Sequence, residues 1–274
     1  MQKNQKSTDR VQPFLRWAGS KRQLIPVLSE FWNDGYDRYV EPFVGSACLF
    51  FSLAPKKALL SDINEELITT YRQVSTNVNA VLKELGILNK SKEDYYRIRA
   101  LKPEKLSQNK RAARFIYLNR YCFNGLYRTN SKGEFNVPYC GDERGLIPSE
   151  NVFKACSKLL GNAELLANGY EETLKKVKKG DFVYMDPPFS VRAKEIFNEY
   201  DKSKFGMNDI IRLRDWMIKL DKKGVSFLVS YAESEEANLL EKGFQRRTVS
   251  VRRSIAGFTS NRRVVNEVII YNKV

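Results

Sequence analysis

The chain has 274 residues, and its 47 lysines and arginines outnumber its 32 aspartates and glutamates, which gives a formal net charge of +15. It contains no histidine, so a Ser-His-Asp triad, a Cys-His pair and a histidine-ligated metal are excluded. The four cysteines are widely separated and form no CxxC pair, which argues against a zinc site and a disulfide framework. We therefore expect no metal site.

The apolar runs are short compared with a membrane span, which needs about 18 such residues. The run at 47–51 is typical, because a serine ends it. Residues 1–10 are polar and lack the apolar core of a signal peptide. These features predict no membrane span and a reducing, cytoplasmic setting.

Positive charge is concentrated in two regions. Residues 89–132 contain 12 lysines and arginines against 3 acidic residues. Residues 242–263 contain 7 lysines and arginines and no acidic residue. Such clusters favour a polyanionic partner, although charge alone could equally mark a solvated surface. Aromatic residues lie between the cations of the first region, and they favour nucleic acid.

Taken in chain order, the apolar segments predict strands that alternate with helices. The predicted strands are 39–43, 58–60, 181–185, 225–230 and 264–271. This alternation indicates an α/β fold with a largely parallel sheet and helices on both faces. From about residue 65 to 124, apolar residues recur at helical spacing with no convincing strand. We infer a helical insertion between two parts of the α/β domain.

The sharpest chemical feature is Asp186-Pro187-Pro188-Phe189, which follows the predicted strand 181–185. Ligands of open α/β sheets bind beyond the carboxyl ends of strands, so this carboxylate should face a site. Asp186 and the Pro187 carbonyl could accept the two hydrogens of an exocyclic amine, while Phe189 lies against the planar ring. A plain turn after a strand remains the alternative.

A second feature joins a strand to a helix through a glycine turn. In residues 41–47, EPFVGSA, Gly45 would let the backbone approach a ligand closely, but the turn is not the GxGxxG of dinucleotide sites. Asp62 ends the next predicted strand, where an acid commonly holds ribose hydroxyls. It could equally cap the helix that begins near Asn64.

In this order the segments resemble the Dam-type DNA adenine-N6 methyltransferases, most strongly those that methylate adenine in GATC. The resemblance covers nearly the whole chain. It rests on FLRWAGSK (14–21), EPFVGSACLFF (41–51), SDIN (61–64), RYCFNGLYRTNSKGEFNVPY (120–139), DFVYMDPPF (181–189) and RRSIAGFTSNRRVVNEVII (252–270). The first and fourth segments are more specific than DPPF, which occurs in several methyltransferase groups.

The resemblance implies a Rossmann-like methyltransferase domain formed by residues 1–63 and 150–274. A mainly helical DNA-recognition domain, residues 64–149, would be inserted into it. The implied cofactor is S-adenosylmethionine and the implied partner is double-stranded DNA. We expect the protein to be a monomer in solution.

The resemblance also implies roles for individual residues. The catalytic set is Asp186, Pro187, Pro188 and Phe189. The cofactor would be bound by Trp17, Lys21, Phe43, Gly45, Asp62 and Asp186. DNA would be contacted by Arg16, Phe123, Asn124, Leu126, Arg128 and Pro138.

The expected reaction begins when the target adenine is flipped out of the duplex, and stacking on Phe189 would offset part of that cost. Within the reading segment, Phe123 would wedge into the base stack and Arg128 would read a guanine, with a phosphate contact as the alternative for Arg128. The polar segment 190–205 is expected to form a lid. Phosphates are expected at Arg246, Arg247, Arg252, Arg253, Arg262 and Arg263.

Two positions depart from the family pattern. Ser46-Ala47 follows Gly45 where further glycines are usual, and Phe189 stands where tyrosine is usual. Two other functions remain as alternatives: an RNA guanine-N2 methyltransferase, and a DNA-binding protein with an inactive methyltransferase fold. The specific segments 14–21 and 120–139 argue against the first, and the intact DPPF set argues against the second.

Overall fold

In the computed structural model, residues 11–141, 146–188, 205–254 and 262–272 are described. Their strands are β1 (Arg38–Glu41), β2 (Ala58–Asp62), β3 (Ala163–Ala167), β4 (Asp181–Met185), β5 (Ser226–Ala232), β6 (Gln245–Ser254) and β7 (Arg262–Tyr271). They form one sheet in the order β3-β2-β1-β4-β5-β7-β6. The first five strands in this order are parallel, and β7 is antiparallel to both of its neighbours. The prediction of a largely parallel sheet is confirmed.

The α-helices of the described residues are α1 (Ile25–Leu28), α2 (Cys48–Leu53), α3 (Glu65–Gly86), α4 (Lys92–Ala100), α5 (Gln108–Tyr121), α6 (Glu150–Leu160), α7 (Tyr170–Lys175), α8 (Met207–Lys222) and α9 (Glu235–Glu241). Short 3-10 turns occupy Arg22–Leu24, Ser29–Phe31, Pro103–Lys105 and Phe123–Gly125. None of these helices is long and apolar enough to cross a membrane.

The two strands at the edges of the sheet, β3 and β6, were not among the predicted strands. β3 is only partly buried, so its sequence lacks a continuous apolar run. β6 reads QRRTVSVRRS, and its four arginines hide the alternation of a strand. Edge strands commonly carry charge because charge opposes pairing with another chain, which explains both omissions.

Both faces of the sheet are covered by helices. Adjacent residues of one strand, Tyr39 and Val40, belong to two different core clusters, because successive side chains point to opposite faces. Helices α3, α5 and α6 contribute to the cluster that contains Tyr39, and α7, α8 and α9 contribute to the other. This is the Rossmann-like architecture that the resemblance implied.

Helices α3, α4 and α5 form the mainly helical insertion. Asn64 caps α3, since its side-chain oxygen accepts a hydrogen bond from the Leu67 amide at 3.1 Å. Buried Tyr71 of α3 and Tyr117 of α5 lie in the same core cluster as Tyr184 of β4. Among these helices, α3 contacts β2 and β3, α5 packs on α3, and α4 packs on α5. The boundaries of the insertion at 63/64 and 149/150 stay a prediction.

Candidate active site

Polar side chains meet at the carboxyl edge of the parallel strands. Glu41 ends β1, Asp62 ends β2, Asp186 follows β4, and Ser230 lies near the end of β5. These four residues come from four strands that are adjacent in the sheet. We call them, together with the residues that contact their side chains, the carboxyl edge. Open α/β sheets bind their ligands at this edge, so the edge is the natural place for a site.

One oxygen of the Asp186 carboxylate is held from two sides. Its Oδ1 accepts a hydrogen bond from Lys21 Nζ at 2.6 Å and another from Ser230 Oγ at 3.0 Å. Ser230 Oγ also lies 2.9 Å from the Tyr184 hydroxyl. Burial, and then the negative charge of Asp186, raises the pKa of Tyr184 well above its ordinary value, so this hydroxyl keeps its proton. Among the described residues, Oδ2 has no hydrogen-bond partner and stays available.

Lys21 is a buried cation between two carboxylates. Its side chain is only 3% exposed, against 21% for Asp186. Besides Asp186, its Nζ donates to the Gly19 carbonyl at 3.2 Å and lies 3.8 Å from Oε2 of buried Glu267 on β7. Lys21 was expected to bind the cofactor, and the structure places it on the carboxylate that was expected to be catalytic.

The turn at Gly45 admits no side chain. Gly45 has a φ of +44°, and a Cβ there would lie 2.9 Å from Cδ1 of the Trp17 indole. The Gly45 amide donates to Asp62 Oδ2 at 3.2 Å, and its carbonyl accepts from the Tyr71 hydroxyl at 2.6 Å. Only glycine fits this close approach, so Trp17, Gly45 and Asp62 form one packed unit.

Ala47, in the turn that follows Gly45, has a strained backbone. Ala47 precedes α2 with a φ of +54°, in the left-handed region that residues with a Cβ adopt at a cost. Beside it, the Ser46 hydroxyl donates to the Ser20 hydroxyl at 3.2 Å. Ser46 therefore ties the turn to the segment that carries Lys21.

Asp62 braces two turns. Its Oδ1 accepts from the Asn64 amide at 3.0 Å, while its Oδ2 holds Gly45. Burial raises the pKa of this carboxyl above its ordinary value. A cleft of 470 Å³ begins at the next residue, Ile63, which is 83% exposed. The cleft is lined by Ile63, Glu65, Arg72, Leu166, Ala167 and Asn168.

Phe43 lies beyond the end of β1 in a small aromatic cluster. Its ring stacks on Tyr170 at 5.1 Å between centroids and contacts the edge of Phe205 at 6.1 Å. Pro187 is buried and Pro188 is exposed just after β4. Phe189 and the predicted lid up to residue 204 lie outside the described residues.

The residues expected to contact DNA are gathered in the 123–138 loop. The Phe123 amide donates to the Pro138 carbonyl at 2.9 Å, which closes the loop at its base. Phe123 is 40% exposed, and Asn124 next to it has a φ of +55°. Leu126 is partly buried against the core. An aromatic ring therefore projects from a closed turn, as a wedge requires.

Arg128 is oriented by its neighbour across the loop. Its Nε donates to Asn136 Oδ1 at 2.8 Å, and the Asn136 amide donates to the Arg128 carbonyl at 3.0 Å. Within the described part of the chain, the two terminal guanidinium nitrogens of Arg128 have no partner. Arg16 adjoins the same loop, since a Cβ on Gly125 would lie 2.5 Å from Arg16 Cβ.

The cations expected on phosphates do not behave alike. Arg246 donates to Glu233 at 2.7 Å and to Glu241 at 2.9 Å, and Arg247 donates to Glu30 at 2.6 Å. Carboxylates thus neutralise these two arginines, and the structure favours a role in holding β6. The side chains of Arg252, Arg253, Arg262 and Arg263 lie outside the described part. Among the described residues, no group of acids and cysteines could hold a metal ion.

Sequence reasoning missed three buried residues that organise the site. Ser230 donates to Asp186, Tyr184 is hydrogen-bonded to Ser230, and Asn119 holds the backbone of Arg16. Ser230 alone gave a signal, because a serine at the carboxyl end of an apolar strand is a candidate site residue. Tyr184 and Asn119 read as ordinary core and helix residues.

Comparison with known proteins decides the family. The family model described as D12 class N6 adenine-specific DNA methyltransferase matches residues 17–255. The chain belongs to this family. It is accordingly an adenine-specific DNA methyltransferase, whose family and fold imply S-adenosylmethionine as methyl donor and DNA as substrate.

Similar proteins cover the chain almost from end to end. The type II methyltransferase M1.LlaDCHI of Lactococcus lactis is 36% identical over 98% of this chain and 98% of its own. The type II methyltransferase M.MjaIII of Methanocaldococcus jannaschii is 37% identical over 89% and 93%. The DNA adenine methylase of Escherichia coli is 30% identical over 95% of each. The resemblance noted from the motifs is confirmed.

Proposed function

We propose that this enzyme methylates the adenine of GATC after flipping that base out of duplex DNA, and that Asp186 acts on the adenine amine. The observation that carries the proposal is the Asp186 carboxylate. Lys21 and Ser230 hold its Oδ1, whereas no described residue occupies its Oδ2. An exocyclic amine needs such an acceptor.

The residues around the carboxyl edge fit S-adenosylmethionine. A Cβ on Gly45 would meet the Trp17 indole, so this turn packs tightly on Trp17, and exposed Ile63, next to Asp62, lines the 470 Å³ cleft. Asp62, at the end of β2, would accept from ribose hydroxyls. We propose that these residues, with Phe43, hold the cofactor, which supplies a methyl group on a positively charged sulfonium.

The adenine amine is a poor nucleophile because its lone pair is conjugated with the ring. Asp186 Oδ2 and the Pro187 carbonyl would accept its two hydrogens, which favours a tetrahedral nitrogen with a localised lone pair. Positive charge then develops on this nitrogen, and the carboxylate stabilises that charge electrostatically. Asp186 thus orients the amine and lowers the barrier without a covalent intermediate.

Lys21 and Ser230 keep the carboxylate ready for this role. Both donate to the same oxygen, so they fix the plane of the carboxylate before substrate arrives. The protonated Tyr184 hydroxyl donates to Ser230 and directs the Ser230 hydrogen toward Asp186. A group held in advance has no reorganisation to make during the reaction.

The exposed 123–138 loop supports DNA recognition by the inserted residues 64–149. Base flipping costs a few kcal/mol, and the exposed ring of Phe123 could fill the gap left in the stack. Since Asn136 fixes Nε of Arg128, the terminal nitrogens can make a bidentate contact with a guanine edge. Phe189, which lies outside the described residues, would stack on the flipped base.

Sequencing of modified bases in DNA from cells that express the protein would test the proposal. We expect N6-methyladenine in GATC and at no other sequence. Methylation of cytosine at carbon 5 would contradict the mechanism. Methylation of the cytosine amine would contradict the choice of adenine, and methylation of adenine in another site would contradict only the GATC assignment. Purified enzyme assayed on duplex DNA and ribosomal RNA adds a control, because transfer to RNA alone would favour the guanine-N2 alternative.

A further inference from the structure

Residues 16–21, which we call the bridging segment, contact both the 123–138 loop and the Asp186 carboxylate. At one end, Asn119 of α5 holds the backbone of Arg16. The Arg16 amide donates to Asn119 Oδ1 at 2.8 Å, and Asn119 Nδ2 donates to the Arg16 carbonyl at 2.7 Å. At the other end, Lys21 holds Asp186. Only the four residues 17–20 thus separate the two contacts.

The two hydrogen bonds between Asn119 and the backbone of Arg16, which we call the Asn119 clamp, are buried and leave little freedom of movement. Asn119 is 3% exposed, and both of its side-chain atoms are engaged by a residue 103 positions away in sequence. An asparagine that makes hydrogen bonds to both the amide and the carbonyl of one residue fixes the position and the orientation of that residue's backbone. Asn119 therefore determines where the bridging segment begins relative to α5, which leads directly into the 123–138 loop.

The 123–138 loop also packs on the bridging segment. Gly125 has a φ of +64°, and a Cβ there would lie 2.5 Å from Arg16 Cβ. The ring of Tyr127 stacks on Trp17 with 6.2 Å between centroids and 16° between planes. Trp17 in turn packs on Gly45 of the carboxyl edge. A displacement of the loop must therefore move the bridging segment.

We propose that the bridging segment couples base reading by the 123–138 loop to the placement of Asp186, and that Asn119 is the positioning residue of this coupling. The inference rests on the proposed function. When the loop is bound to the correct bases, it holds Arg16 in place. Arg16 in turn keeps Lys21 where Lys21 donates its hydrogen bond to Oδ1 of Asp186. A loop displaced by a wrong base pair loosens that grip, so a wrong base pair slows methyl transfer more than it weakens DNA binding.

Single-turnover methyl transfer at saturating DNA and cofactor tests the coupling. Two duplexes are compared: one with the mapped recognition site, and one with a single base pair of that site changed. The variants are Asn119→Asp, which keeps the size of the side chain but replaces the donor to the Arg16 carbonyl with an acceptor, and Gly125→Ala, which disturbs the same contact from the loop. Asn77→Asp, at an exposed position of α3, is the control.

We expect Asn119→Asp and Gly125→Ala to slow transfer on the correct site by about tenfold, since each disrupts a buried contact. The rate on the altered site should not change, so the ratio between the two rates collapses. A merely structural role would lower both rates by the same factor and leave their ratio unchanged. That result would overturn the proposal. If Asn119→Asp fails to fold, Gly125→Ala decides. Failure of the proposed function appears separately, as a wild-type enzyme that leaves adenine unmethylated.

Discussion

At the carboxyl edge, the polar side chains of Lys21 and Glu41 are almost fully buried, and each has a partner. In the 123–138 loop, Phe123 and Tyr127 are 40% and 36% exposed, and the terminal nitrogens of Arg128 have no partner in the described part of the chain. The protein therefore desolvates its chemical groups when it folds. The groups that we propose for recognition remain in water.

This difference separates two costs. Burial of charge is expensive, and removing one partner of a buried pair leaves the other uncompensated. An exposed group makes little contribution to stability, because water solvates it well. Substitutions at the carboxyl edge should therefore affect folding and the chemical step, whereas substitutions in the loop should affect the choice of sequence.

The largest effect is expected for Lys21→Met. Loss of this cation removes a buried counter-charge from partly buried Asp186 and from buried Glu267, so the free energy of unfolding should fall by about 3–5 kcal/mol. Urea denaturation measures it. The matched control is Lys176→Met, since Lys176 and Glu164 form a pair at 3.3 Å with both side chains about half exposed. That control should change by less than about 1 kcal/mol, and equal losses would refute the contrast.

Ser230→Ala removes one of the two donors to Asp186 Oδ1. A hydrogen bond to a charged group contributes about 1.5–3 kcal/mol, so kcat should fall by about 10- to 100-fold with KM unchanged. Steady-state kinetics measures both constants. Ser250→Ala, which removes an exposed hydroxyl bonded to Asn266, should leave kcat at the wild-type value. A rise in KM at constant kcat would show that Ser230 serves binding instead.

Arg128→Ala should change sequence choice rather than stability. Loss of a bidentate contact to guanine removes about 1–3 kcal/mol of discrimination at one base pair. Methylation rates on duplexes that differ at single positions measure this effect. Arg246→Ala, whose guanidinium is already paired with Glu233 and Glu241, should leave discrimination intact. Equal weakening on every duplex by Arg128→Ala would indicate a phosphate contact.

The smallest effect is a pH dependence at Glu41. Burial raises the pKa of Glu41 well above its ordinary value, and the negative charges of Asp186 and Asp62 add to this. The folded chain therefore keeps a proton that the unfolded chain releases above about pH 4.3, so stability falls as pH rises through that range. The Glu41→Gln variant has no carboxyl group to titrate, so its stability does not fall in this way. Its free energy of unfolding should therefore rise relative to that of the wild type between about pH 5 and pH 8. An identical difference in unfolding free energy at both pH values would contradict the assignment.

Local pattern sufficed for the parts of the fold with a periodic signal. The central strands β1, β4 and β5 are apolar on both faces, and the 65–124 region has helical spacing, so both were predictable. The edge strands β3 and β6 were not, because partial burial and arginines conceal their period.

The site divides in the same way. The placement of Gly45, Asp62 and Asp186 beyond the carboxyl ends of parallel strands was predictable, because each follows or ends an apolar strand in the sequence. Their roles stay a prediction. The pairing of Lys21 with Asp186 joins positions 165 residues apart, and the Asn119 clamp joins positions 103 apart. Such contacts depend on tertiary packing, which no local pattern encodes.

Single-turnover methyl transfer by Asp186→Asn, measured together with DNA affinity, tests the central claim most directly. Asparagine keeps the size of the side chain but removes the charge that would stabilise the developing cation on the amine. We predict that the rate falls by at least about 10²- to 10³-fold while DNA affinity is unchanged. A variant that transfers methyl groups at nearly the wild-type rate would contradict the role of this carboxylate.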